Sequence, residues 1–175
     1  MKAVFPILLL LLISFSAAAQ DPGSEIAPEE PNALEEVREL QSALLLVFKS
    51  RVLELQDRER AIIQDVLKAD PEPKGRNRWA YNIIGGKLNK YIRKHKSLIP
   101  ARVLSEADYV IYFNVVEFRR ILYTYYPFGE LFVIVKGSPE KLKPPRVVWR
   151  TKKMMFAEDA IGELIKDLKI LRGES

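Results

Sequence analysis

The chain has 175 residues, no cysteine and a formal net charge of +5, with 48% hydrophobic and 29% charged residues. These are the proportions of an ordinary globular protein. The lack of cysteine excludes disulfides, thiolate metal sites and a cysteine nucleophile. The charge is divided along the chain: residues 20–70 carry 12 acidic and 6 basic groups, a net of −6, whereas residues 71–175 carry 11 acidic and 21 basic groups, a net of +10.

The N-terminus has the anatomy of a secretory signal peptide. Lys2 supplies a positive n-region, residues 3–15 an apolar run, and Ser16, Ala17, Ala18 and Ala19 the small side chains of a cleavage site. Residues 3–19 span 17 positions, short of the ~20 that a membrane-spanning helix needs. Cleavage is expected after Ala19. A Cys-free chain without an Asn-x-Ser/Thr glycosylation site is then expected to be exported, periplasmic or secreted, with no transmembrane segment after cleavage.

Residues 20–31 (QDPGSEIAPEEP) are rich in Pro and acidic groups and read as a disordered lead-in. Residues 32–70 read as a helical acidic segment. There is no Gly or Pro from 34 to 68, Asn32 is a plausible N-cap, and apolar residues recur mostly three or four apart. The six consecutive apolar residues from Ala43 to Phe48 fit either a buried helical turn or a strand, because periodicity cannot separate the two. Helix is the expectation taken there, and a further helix is expected from Asp57 to Lys68.

An α+β domain is expected over residues 71–175. Residues 70–77 (DPEPKGRN) read as a turn, and residues 79–94 as a helix with Ile84, Leu88, Tyr91 and Ile92 on one side. Residues 108–118 (DYVIYFNVVEF) are β-branched and aromatic with both alternating faces mostly apolar, which predicts a central strand. Residues 130–136 predict a second strand and residues 146–151 a third. In the third, Val147 and Trp149 alternate with Arg146 and Arg150, giving one buried and one solvated face. Residues 156–171 form an amphipathic helix ended by Gly173. Short gaps between the strands favour an antiparallel meander. The expected fold is therefore α+β: a small, mainly antiparallel sheet of three or more strands with helices packed on one face.

The stretch from Trp79 to Gly173 resembles the N-terminal α/β domain of TolB-type periplasmic proteins and related small exported domains of unassigned role. The features that carry the resemblance are a helix rich in Leu and Tyr, Ser105 to Ile111 (SEADYVI) opening a strand, a strand after Gly129, then Val147-Val148-Trp149, and a closing helix with Leu164 to Lys169 (LIKDLK). The resemblance implies an envelope location and carries no catalytic signature.

Catalysis is not expected. His95 is the single histidine and sits among Arg93, Lys94 and Lys96, which disfavour a further positive charge. No serine elbow, calcium loop or phosphate-binding glycine motif occurs, so no cofactor, no metal and no catalytic residue is assigned. Two binding candidates remain. From Lys74 to Arg102 there are nine basic residues and no acidic one, with Lys87, Lys90 and Lys94 on one helical face and Arg93 beside them. This pattern suits an anionic partner or simply a solvated helix face; nucleic acid is not expected. The second candidate is Arg119 to Phe128 (RRILYTYYPF), where Tyr123, Tyr125, Tyr126 and Phe128 lie beside two arginines, the residue types of interface hot spots. Alternatively Tyr123 and Tyr125 extend a strand and pack as core. The functional expectation is a non-enzymatic binding domain for an envelope protein, with a peripheral binder of anionic lipid or another polyanion through the basic helix as the alternative.

Overall fold

The computed structural model describes residues 33–38, 40–50, 58–96, 98–137 and 144–174, all within the compact unit Pro31–Ser175. The expected signal peptide and lead-in, residues 1–31, lie outside the described residues. Six strands form one sheet: β1 (Ser42–Phe48), β2 (Ile99–Pro100), β3 (Tyr109–Ile121), β4 (Thr124–Val135), β5 (Arg146–Arg150) and β6 (Met155–Phe156). Three helices accompany it: α1 (Arg58–Leu67), α2 (Asn77–His95) and α3 (Ala157–Arg172). The strand order is β2-β1-β3-β4-β5, with β6 paired to β4. The meander β3-β4-β5 is antiparallel, as the short connections predict, while β1 runs parallel to both β2 and β3. The class is thus α+β with a mixed, mainly antiparallel sheet. No helix among the described residues is long and apolar enough to cross a membrane.

The sheet is covered on both sides. Ala43, Leu45, Val47, Tyr109, Ile111, Phe113, Leu131 and Val133 point to one core, closed by Ala80, Ile84 and Leu88 of α2 and Ile161, Leu164 and Leu168 of α3. The alternate residues Leu44, Leu46, Val110, Tyr112, Phe132 and Ile134 point to a second core, closed by Ile62 and Val66 of α1. Two helices share one face as expected, and the third packs on the opposite face.

The expectation of helix over Ala43–Phe48 is corrected, and with it the 32–70 helical segment. That stretch divides into a 3-10 turn (Ala33–Val37), strand β1 and helix α1. The α+β fold accordingly takes in residues from 33 onward rather than from 71. Long-range pairing decides the matter. β1 lies between β2 and β3 and is covered by helices on both faces, so its sequence loses the alternation that marks a half-exposed strand. Its register is held by Asp108, whose carboxylate accepts the Ser42 N–H at 2.9 Å, and by Ser42 Oγ, which donates to the Glu106 carbonyl at 2.5 Å.

Two irregularities in the sheet decide which way its later side chains face. Between β4 and β5 the register shifts at Val133/Ile134, so Val148 is an extra residue. Trp149 then joins the α2/α3 side and donates its indole N–H to Asp167 at 2.8 Å, whereas Val147 packs on the α1 side. The predicted common face of Val147 and Trp149 is therefore split by a bulge. A second shift lies between Val115 and Glu117 on β3. Opposite it, a Cβ on Gly129 would overlap the Asn114 carbonyl, so only glycine fits there. The inserted Val116 reverses the alternation, and Phe118 returns to the α2/α3 side.

The buried polar group at the end of the β1–β3 pairing is tied down. Asn114 Oδ1 accepts the Ser50 N–H at 3.0 Å and the Tyr112 hydroxyl at 3.1 Å. Burial raises the Tyr112 phenol above its ordinary range. Burial also pushes Tyr109 up to about 12, against the opposing pull of the nearby Arg172 guanidinium. Arg58 pairs with Glu130 beneath α1, and its partial burial lowers its pKa from the usual arginine range, with the Arg150 charge acting in the same direction.

Candidate interaction surface

β3 and β4 outrun every other strand. β1 stops pairing at Asn114, β5 at Phe132 and β6 at Phe128. Beyond those points β3 and β4 pair only with each other, from Phe118↔Pro127 to Ile121↔Thr124, closed by the two residues Leu122 and Tyr123. The result is a two-stranded arm projecting from the sheet.

The arm has a packed root and a bare tip. At the root, Phe128 is buried, lies edge-on to Phe156 with centroids 5.3 Å apart, and carries the Arg119 guanidinium 3.3 Å over its ring. Tyr126 is half-buried between Trp79 at 5.7 Å and Phe156 at 6.2 Å. A shallow groove of about 170 Å³ runs beside them, lined by Ile83, Ile121, Tyr126, Pro127 and the first residues of α3. At the tip, Leu122 is 84% and Tyr123 90% exposed, with Ile121 and Tyr125 at 44% and 47%. The alternative in which Tyr123 and Tyr125 pack as core is thereby excluded.

Leu122 has a φ of 55°, the left-handed region that favours Gly, Asn and Asp. Two-residue hairpin turns demand such a conformation, and glycine is the usual solution. Here a large aliphatic residue adopts it and leaves its side chain in solvent. The turn is stapled by Arg120, whose Nε donates to the Leu122 carbonyl at 3.0 Å.

The cations sort into two groups. Arg119 and Arg120 belong to the arm, and Arg76, at the start of α2, reaches to 5.8 Å from the Tyr125 ring centre. Arg119 is also bound by Glu117 at 2.5 Å. The lysine row on α2 lies elsewhere. Lys87 pairs with Glu158 of α3 at 3.2 Å and donates to that residue's carbonyl, so it holds two helices together. Lys90, Arg93 and Lys94 are exposed toward the far end of α2, and no ion pair holds them among the described residues. Arg93 and Lys94 lie in the last turn, where cations complement the helix dipole. At 1.5 Å per residue, Lys94 stands ~22 Å along the helix axis from Trp79, the residue that meets Tyr126. The predicted lysine row and the predicted tyrosines are therefore two surfaces and not one. Arg76 at the arm went unassigned as a site residue; its partner Tyr125 is 49 residues away, and no local pattern signals the contact.

His95 also lies at that far end. Its Nδ1 is 3.3 Å from Glu174, which accepts the Tyr91 hydroxyl at 2.7 Å, while Arg172 donates to the carbonyls of Val37 and Leu40. This cluster ties the ends of α2 and α3 to the entry of β1. Among the described residues no group of three or more His, Asp or Glu side chains converges as a metal site would.

Comparison with protein-family models, with curated proteins and with solved structures gives no match, so the functional reading rests on the chain's own residues.

Proposed function

We propose that this protein is an exported, non-enzymatic interaction domain of the cell envelope that docks on another envelope component through the β3–β4 arm. The observation that carries the reading is the tip: Leu122 occupies a backbone conformation that favours glycine, and its side chain is 84% exposed beside a Tyr123 that is 90% exposed. Neither side chain contributes to the core, and aromatic and aliphatic groups presented on a firm support are what interface anchors look like. The arm has that support, because its root is fixed by Phe128, Tyr126, Trp79 and Phe156. The signal-peptide anatomy of residues 1–19 and the resemblance to TolB-type domains support the envelope location. The polyanion alternative through the basic helix is weakened by the commitment of Lys87 to Glu158, which leaves Lys90 and Lys94 as its row.

The test is a pull-down with the exported chain from an envelope fraction. Leu122→Ser combined with Tyr123→Ser should release the retained component, and Lys90→Glu combined with Lys94→Glu should not. The reverse pattern would transfer the function to α2 and overturn the reading.

A further inference from the structure

We infer that the component met by the arm is an anionic bilayer surface, with Leu122 and Tyr123 entering the interfacial layer and Arg76 and Arg120 meeting lipid phosphates. The inference rests on the proposed function, in which the arm is the docking element.

Shape comes first. The apolar groups stand at the extremity of a projecting ribbon, as a convex point rather than a flat or hollow patch. A convex point is buried by a soft medium without any matching cavity. The spacing of charge behind the point fits such a medium. At ~3.4 Å per residue, Arg120 lies ~7 Å back from Leu122 along β3. Arg76 joins it at the height of Tyr125, which pairs with Arg120 across the arm. Interfacial apolar groups sink ~5–10 Å into the headgroup and acyl boundary, so the Arg120 and Arg76 guanidiniums stand at phosphate level when the tip is immersed, whereas Arg119 is folded back over Phe128 at the root. Tyr125, its ring partly covered by Arg76, is placed where membrane proteins concentrate amphipathic aromatic rings.

Charge and backbone agree with this. From residue 118 to 127 the arm carries two arginines and no acidic group. The nearest acid along β3, Glu117, is bound to Arg119 and sits further from the tip, while Glu158, paired with Lys87, and Asp159 line the groove beside the arm. A backbone carbonyl without a partner is costly in a medium lacking water. At the tip the Leu122 carbonyl already has one, the Arg120 Nε, and the strands on either side pair through Ile121↔Thr124.

The experiment is sedimentation of the exported chain with vesicles of phosphatidylcholine alone and of phosphatidylcholine mixed with phosphatidylglycerol. Each cation near an anionic surface contributes roughly fivefold, so Arg76 and Arg120 together predict roughly 25-fold preference for the mixed vesicles. Leu122→Ser combined with Tyr123→Ser should lower partitioning at least ~tenfold. Arg76→Glu combined with Arg120→Glu should abolish the preference for anionic lipid. These positions lie outside the core, so thermal melts should match the parent. In a second measurement, Tyr123→Trp should show added emission that shifts to the blue on mixed vesicles and is quenched by lipids with brominated acyl chains. Equal binding by parent and tip variant, or no quenching of the new tryptophan, would overturn the inference. If vesicles fail to retain the chain while an envelope protein is captured and lost with the tip variant, the bilayer is excluded and the docking reading stands. If the tip variant changes neither assay, both fall.

Discussion

Tyr112 and Tyr123 lie on the same hairpin and meet opposite fates. Tyr112, in the first half of β3, is fully buried; its ring stacks on Phe48 at 4.5 Å and on Phe132 at 5.9 Å, and its hydroxyl is bonded to Asn114. Tyr123, at the far end of the same strand pair, is 90% exposed and touches no other ring among the described residues. Folding physics accounts for the first residue completely and for the second not at all. The contrast therefore separates what this sequence spends on standing up from what it presents outward, and the boundary lies just past the bulge at Val116, at the Glu117↔Phe128 pair, beyond which only β3 and β4 remain paired.

The largest effects should fall on the buried half. Phe113→Ala removes a fully buried ring from the α2/α3 core and should cost ~3–5 kcal/mol in denaturant unfolding. A loss under ~1 kcal/mol would show that the α2/α3 core is not packed as described. Next comes alkaline pH. Tyr109 ionises at about 12 in the fold, above the ordinary value of 10.0. The unfolded chain gives up this proton first, so the stabilisation is complete below pH ~10 and falls as pH rises toward 12, by about 2–3 kcal/mol in all. Tyr109→Phe should flatten that part of the stability–pH curve. An unchanged slope would place the loss on other groups. The smallest effect belongs to the tip. Leu122→Gly removes a side chain that packs on nothing and relieves the positive φ, so stability should stay within ~0.5 kcal/mol of the parent or rise by up to ~1 kcal/mol. The same variant should lose docking. A clear destabilisation would mean that Leu122 serves the fold after all.

Much of the architecture was legible in the sequence because the signals were local. α2 and α3 carry helical periodicity, β3 its β-branched and aromatic run, and Gly173 the left-handed residue that ends α3, with a φ of 64°. β1 was not legible, since its all-apolar run is explained only by neighbours far along the chain: Ala43 pairs with Tyr109 and with Pro100. Neither bulge leaves a mark in the composition. A residue inserted against the partner strand is defined by register, and Val148 reads like any other strand valine. The surface was half legible. The stretch from Arg119 to Phe128 stands out by its residue types, but which tyrosines are bare and which are packed depends on where β1, β5 and β6 stop. The lysine row was visible as a helix face. That Lys87 is consumed by Glu158, 71 residues later, was not.

The single inserted residue at Val116 also makes the arm a ruler with coarse graduations. Side chains on a strand alternate with a period of two, so adding one residue to each strand of the arm would turn Arg120 to the opposite side. Adding two to each would restore it and advance the tip by ~7 Å. The reach of the arm can thus change in two-residue steps without altering the direction it faces, while its root on Trp79, Phe128 and Phe156 stays as it is.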